Sequence, residues 1–223
     1  MGSIDLGSTA FEFIADRPYA RRWILVNLFE RLAAALLLTI VLPILFIASV
    51  MVVLISRRSP FIAHQRVGHR GRLIWVLKLR TMWQNHSGKR LMFVHRLTPS
   101  EAPVPPPEQK DMGVTSRFAA CCRRLSLDEL PQLWQVVRGE MSLIGPRPLT
   151  REELDVYYGR DAATVILHRP GISGLWQVKG RSRLTYSQRR RLDMFLIRKW
   201  SLSLYFRILF LTVPSVLAGK NAR

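Results

Sequence analysis

Between Arg31 and Arg57 the chain runs for 25 residues, 32–56, without a charge. As a straight helix this run would rise about 38 Å at 1.5 Å per residue, enough to cross a bilayer. It starts late, and Arg57-Arg58 follow it where a cleaved signal peptide would carry small residues. Both flanks are basic, with Arg17, Arg21, Arg22 and Arg31 before it and Arg57 and Arg58 after it. The positive-inside rule therefore selects no single orientation, and a segment with both ends on the cytoplasmic side satisfies it. Pro43 removes one helical hydrogen bond near the middle and predicts a kink. Two readings stay open: a kinked helix that spans the membrane, and a helix bent at Pro43 that enters one leaflet and returns.

Beyond the run the apolar period shortens. Residues 61–67 and 73–80 flank Gly68-His69-Arg70-Gly71, which predicts a β-hairpin, since Gly tolerates positive φ. In the second arm Trp75, Leu77 and Leu79 share one face, and Ile74, Val76, Lys78 and Arg80 the other. Lys78 and Arg80 are thus candidate phosphate contacts, or else a solvated basic edge that blunts strand pairing. Residues 83–113 have no apolar period and contain Pro99, Pro103, Pro105, Pro106 and Pro107. They read as a mobile surface loop, longer than ordinary connections.

Helical spacing returns at Leu130, Leu133, Trp134 and Val137, with Gly139 as a stop. Ser126 with Glu129 reads as a capping box, whereas Pro131 suits a first helical position. Either start leaves Asp128 and Glu129 near the positive end of a helix dipole, where carboxylates and phosphates are favoured. Taken alone, the pair also fits a capped surface helix with two solvated acids. Arg147 lies between Pro146 and Pro148, so its guanidinium is stiffly placed for bidentate phosphate binding. A helical stretch near 151–167 follows. In 168–181, Gly171 and Gly174 beside basic residues could let backbone N–H groups approach a phosphate, without matching a nucleotide-binding fingerprint. Residues 187–216 read as helical. Their apolar part, 204–213, is too short to span a membrane and suits either the lipid interface or a core.

Composition narrows the partners. There are 34 Lys+Arg against 15 Asp+Glu, a formal net charge of +19, so anionic partners are expected: nucleic acid, an acidic leaflet or phosphorylated substrates. A hydrophobic content of 48% excludes a disordered basic tail. The adjacent Cys121 and Cys122 make neither a disulfide framework nor a zinc knuckle, which fits a reduced, cytoplasmic catalytic portion.

Four motifs now stand in order: Lys78-Leu79-Arg80-Thr81-Met82, Ser126-Leu127-Asp128-Glu129-Leu130-Pro131-Gln132, Met141-Ser142-Leu143-Ile144-Gly145-Pro146-Arg147-Pro148, and the run from Arg169-Pro170-Gly171 to Trp176-Gln177-Val178. Together they resemble the bacterial sugar transferases, or monotopic phosphoglycosyl transferases, over about residues 30–207. The resemblance implies transfer of a sugar phosphate from a nucleotide sugar, usually a UDP-sugar, to a membrane polyprenyl phosphate, with release of the nucleoside monophosphate. It implies Asp128 as nucleophile and Glu129 as its partner, the two holding Mg²⁺ or positioning the attack. Arg123 and Arg147 match arginines associated with phosphate, and Lys78, Arg80, Glu140, Gln177 and Arg181 complete the candidate substrate contacts.

The implied fold is α+β and mainly helical: a re-entrant membrane helix, a small β-hairpin and amphipathic interface helices around a compact catalytic core. The expected division is a basic lead at 1–22, an anchor at 23–58 and a catalytic domain at 59–223, with interface helices at 184–217. The implied location is the cytoplasmic face of a bacterial inner membrane, in contact with anionic lipid and without nucleic acid; a homo-oligomer is left open. The chain departs from the family's usual residues at Leu42, Glu140 and Tyr205. Its Asp111-Met112-Gly113-Val114-Thr115 run also stands one residue further from Asp128. Two competing functions remain: the same reaction through a ternary complex, with Asp128 only a ligand or base, and a non-catalytic basic membrane adaptor.

Overall fold

The computed structural model describes residues 20–82, 116–180 and 184–217. The basic lead up to residue 19, the proline-rich loop expected at 83–113 and Arg181 lie outside the described residues.

Helix α1, Ala20–Ser56, runs 37 residues and continues through Pro43. A single stripe of it touches the protein. Glu30, Ala34, Leu45, Ala48 and Val52 are buried, with Leu38 and Val41 partly buried between them. Those positions recur every three or four residues, which is one face of a helix. Ala34 enters the main core beside Val136 and Met141, while Ala48 and Val52 pack on Leu79 and Cys122. The rest of the circumference is bare: Leu32 is 63% exposed, Phe46 70% and Leu54 67%. The most apolar stretch has a mean hydropathy of 3.0 and is only 17% buried within the protein. A patch of this size marks a surface for a membrane or a protein partner, and α1 is long and apolar enough to cross a membrane.

Strands β1, Phe61–Val67, and β2, Leu73–Leu79, pair antiparallel with Ile62 opposite Lys78 and Arg66 opposite Ile74. Arg70 and Gly71 take positive φ in the turn, at 57° and 75°. Ile74 and Val76 are buried, so their face of β2 looks inward and carries Lys78 with it. The Val67 N–H donates to the Leu149 carbonyl at 2.8 Å and ties the hairpin to the segment that carries Arg147.

Helix α2, Arg117–Arg124, is capped by the Ser116 side chain. A 3₁₀ turn over Leu127–Gln132 then leads into α3, Leu133–Arg138, which ends at Gly139 with φ 76°. The Ser126 capping box does not form. Ser126 takes a left-handed conformation, φ 55°, and makes no side-chain cap. Pro131 lies inside the 3₁₀ turn, so neither expected helix start is the observed one. Trp134 is 47% exposed, and α3 buries Leu133 and Val136 instead.

Strands β3, Ser142–Ile144, and β4, Gly171–Ser173, form a second, parallel pair. Their contact explains the glycines. A Cβ on Gly171 would lie 2.1 Å from the Gly145 nitrogen, and one on Gly174 would lie 2.5 Å from the Gly145 carbonyl oxygen. Both therefore serve close backbone packing, not an open phosphate cradle. The expected helix at 151–167 is broken into Arg151–Glu153, a π-turn at Leu154–Tyr158, a 3₁₀ turn at Gly159–Asp161, and Ala162–Ile166. Helices α4, Leu175–Lys179, α5, Tyr186–Arg198, and α6, Leu202–Leu217, complete a mostly helical fold with two small sheets.

α6 buries Tyr205 and Ile208 but leaves Phe206, Phe210 and Val213 exposed. Phe206 meets Phe29 of α1 edge to face at 6.1 Å, so the two helices share one apolar belt. Inside that belt the Glu30 carboxylate accepts from the Ser142 hydroxyl at 2.5 Å, the Leu143 N–H at 3.1 Å and the Tyr205 hydroxyl at 2.8 Å. A buried charge is tolerated only when it is hydrogen-bonded in this way.

Candidate active site

Asp128 and Glu129 sit in the 3₁₀ turn, directly after the left-handed Ser126. Leu127 packs against the cluster of Ala48, Val52, Leu79 and Cys122, which places the pair beside α1 and the end of the hairpin. From the inward face of β2, the Lys78 ammonium donates to Glu129 at 3.1 Å. Lys78 and Arg123 are the cations that act on Asp128. Burial, followed by the neighbouring Glu129 charge, nevertheless pushes the Asp128 carboxyl up to about 6. One Arg123 guanidinium nitrogen is buried without a hydrogen-bond partner among the described residues. A buried donor left open beside two carboxylates suits an anion arriving from outside.

The other candidates divide. Arg80 turns its Nε to the Ser59 carbonyl at 2.7 Å. Glu140 pairs with Arg138 at 2.9 Å, and Gln177 donates to the Ile172 carbonyl at 2.8 Å. Arg147 belongs to a second cluster. It lies 5.3 Å from the centre of the Trp176 ring, and Arg189 lies 4.9 Å from the same ring and 5.3 Å from that of Tyr186. Arg66, opposite Ile74 on the hairpin, feels the Arg147 charge. Beneath them Asp193 is fully buried, accepts from the Tyr158 hydroxyl at 2.7 Å and is pushed up to about 7 by burial. Cross-strand partners share a face, so His64 and Arg66 line the same side as Lys78 and form a polar track between the two clusters. Trp176 stood in the fourth motif without a role of its own, and Tyr158, Arg189 and Asp193 were not among the candidates; Asp193, a lone acid in a basic helix, was a signal that could have found them.

An apolar groove of about 670 Å³ opens at Pro131, two residues beyond Glu129. Its walls include Leu42, Pro43 and Phe46 of α1, Leu77 of β2, and Pro131 and Trp134 of the acidic motif. This explains why Trp134 is left half exposed.

The sequence profile of the bacterial sugar transferase family matches residues 21–219. The chain belongs to this family of transferases. It is similar to the exopolysaccharide production protein ExoY of Rhizobium meliloti (strain 1021), 37% identical over 199 residues that cover 87% of this chain and 86% of the relative. It is also similar to the UDP-galactose-lipid carrier transferase of Erwinia amylovora, 40% identical over 87% of this chain and 40% of that protein. The undecaprenyl-phosphate galactose phosphotransferase of Salmonella typhimurium is 37% identical over 71% of this chain and 33% of its own length.

The donor set suits Mg²⁺. Magnesium is commonly held by one or two carboxylates, with waters and substrate phosphates completing the shell. Asp128 and Glu129 supply two adjacent carboxylates, and among the described residues no cluster of three or more His, Cys, Asp or Glu forms a closed protein cage. A raised Asp128 pKa makes the site testable without turnover. A folded-state value of about 6 against an ordinary 3.8 means stability is lost as pH rises through that window and stays lost above it. In metal-free buffer at pH 7.5, Asp128→Asn should therefore melt above the parent, by at most the equivalent of about 3 kcal/mol. The gap should close as pH falls towards 4, and Mg²⁺ should raise the melting temperature of the parent far more than that of the variant. A gap that does not change with pH, or equal Mg²⁺ effects, contradicts this account of the pair.

Proposed function

We propose that the protein transfers a sugar 1-phosphate from a UDP-sugar to undecaprenyl phosphate at the cytoplasmic face of a bacterial inner membrane, releasing UMP and initiating exopolysaccharide or glycoconjugate synthesis. The observation that carries this reading is the partly buried Asp128-Glu129 pair, set between Lys78 and the open Arg123 guanidinium, with an apolar groove lined by Pro131 and Trp134 of the same segment. The family and its similar proteins support the reaction class. A nucleotide sugar needs cations at its phosphates, and an isoprenoid chain needs apolar surface, which the groove ending at Pro131 of the same motif offers.

The mechanism follows from the residues. An Asp128 carboxylate oxygen attacks the sugar-bearing phosphorus. The bond from that phosphorus to the bridging oxygen breaks, and UMP leaves with the electron pair. An oxygen of the polyprenyl phosphate then attacks the same phosphorus, the aspartyl–phosphorus bond breaks, and the Asp128 carboxylate is restored. Splitting the displacement in two avoids assembling both anionic substrates at once. Lys78 holds Glu129 and Arg123 faces the phosphoryl oxygens, so charge in the transition state meets fixed cations. Mg²⁺, held by Asp128 and Glu129, would neutralise phosphoryl charge when bound. Neutral pH keeps Asp128 ionised despite its raised pKa, so the nucleophile is available where it is needed.

Two features of the fold support the re-entrant reading of α1. Asn27, which accepts from Arg169 at 2.7 Å, and Glu30 lie at one end; Ala48 and Val52 lie near the other. Both ends pack on the same folded body. A straight spanning helix would separate residues 27 and 52 by about 38 Å, more than the hydrocarbon thickness of about 30 Å, and would drag that body through the membrane.

Labelled UMP should exchange into UDP-sugar in the absence of lipid acceptor, and Asp128→Asn should lose this exchange while remaining folded. Full turnover in that variant would sink the nucleophile assignment. Exchange absent without acceptor, beside normal turnover with it, would favour a ternary complex. For topology, single cysteines replacing Arg31 and Arg58 in a Cys121→Ser/Cys122→Ser background should both react with a membrane-impermeant maleimide from the cytoplasmic side. Labelling of the two from opposite sides would establish a spanning helix instead.

A further inference from the structure

The C-terminal end of α1 carries an arrangement that the catalytic reading does not use. Ser56 bonds back to the Val52 carbonyl at 2.7 Å and its hydroxyl receives the Arg58 N–H at 3.2 Å, so the chain turns sharply there. Arg57 takes φ 52° in that turn while its N–H still reaches the Val53 carbonyl at 2.8 Å. Arg80 is pinned to the same turn through the Ser59 carbonyl, and burial, followed by the Arg58 charge, lowers its pKa. Arg58 and Arg80 thus lie within reach of each other's charge, and Arg57 lines the same groove as Arg58. Among the described residues none of them forms an ion pair. Arg57, Arg58 and Ser59 border an open groove of about 690 Å³ whose other wall is Val53 and Leu54, exposed by 43% and 67%; Arg80 adjoins it through the Ser59 carbonyl.

The negative end of the helix dipole accounts for one or two cations here. It does not account for a third that is partly desolvated against another, nor for the apolar wall beside them. Gathered cations next to an apolar shelf, where a lipid-facing helix ends, complement a phosphate that carries acyl chains. None of the three is among the charges that act on Asp128, so a phosphate held here is not at the reacting position.

We propose that Arg57, Arg58 and Arg80 bind the headgroup phosphate of an anionic membrane phospholipid, whose chains lie along Val53 and Leu54. The lipid locks the end of α1 against the hairpin.

The test uses the full chain in neutral detergent, with phosphatidylglycerol or phosphatidylcholine added, and reads the melting temperature. Phosphatidylglycerol at about ten times its dissociation constant should raise the melting temperature by roughly 3–6 °C over phosphatidylcholine. Arg57→Gln/Arg58→Gln should lose most of this rise. Arg70→Gln/Arg72→Gln, which removes two exposed charges from the hairpin turn, should keep it. UMP release in neutral detergent should be the same in all three proteins, which separates this site from the catalytic assignment. Equal shifts in all three would overturn the proposal in favour of diffuse charge attraction. No shift in the parent, loss of UMP release in Arg57→Gln/Arg58→Gln, or displacement of phosphatidylglycerol by stoichiometric polyprenyl phosphate would also overturn it.

Discussion

The structure depends on one stripe of α1. A helix with mean hydropathy 3.0 and only 17% of its apolar stretch buried cannot be satisfied by the protein alone. Its bare side suits a membrane, and the contacts that hold it to the folded body come from the residues on the remaining side. That side is small and mostly alanine, valine and leucine, which lets α1 lie close against α3 and the hairpin. At one end the contact is polar: Glu30 gathers donors from β3 and α6. Breaking such a buried, hydrogen-bonded carboxylate costs more than an apolar contact of equal size. The stripe is therefore a fixed joint, and the chemistry is built along it.

That placement explains the combination of groups at the site. The acidic pair rides on Leu127, which packs on the Val52 end of the stripe, and Lys78 arrives from the β2 face that buries Ile74 and Val76. Beside them, Pro43, Leu77 and Trp134 line the apolar groove. One short segment carries both kinds of surface: Asp128 and Glu129 on one side, and Pro131 and Trp134 lining an apolar groove whose other wall is α1. The same burial raises the pKa of Asp128, so stability is given up to hold a poorly solvated carboxylate at this position.

Much of this was legible in the sequence where the signal is local. The charge-free run, the two hairpin arms, the Gly139 stop and the Asp128-Glu129 pair depend on period, turn chemistry and short motifs. The start of the acidic segment was not legible. A capping box assumes that Ser126 is extended, and its left-handed backbone, set by the following 3₁₀ turn, cannot be read from residue type. Distance hid the rest. Tyr205 looked like a departure from the family pattern, but it is a buried donor to Glu30, 175 positions away. Arg147 was stiff as expected, yet its neighbours Trp176, Arg189 and Asp193 come from later helices, so its membership of a second cluster had no signal in its own motif.

The proposed reaction turns on a covalent bond between Asp128 and the phosphosugar. The most direct measurement is mass spectrometry of the acid-quenched full chain after brief incubation with Mg²⁺ and a panel of UDP-sugars, without lipid acceptor. The account predicts that one donor adds the mass of its sugar phosphate less water, that the adduct maps to the peptide containing Asp128, and that polyprenyl phosphate discharges it. A protein that turns over that donor with lipid present, yet never carries the adduct or carries it on another residue, would contradict the account.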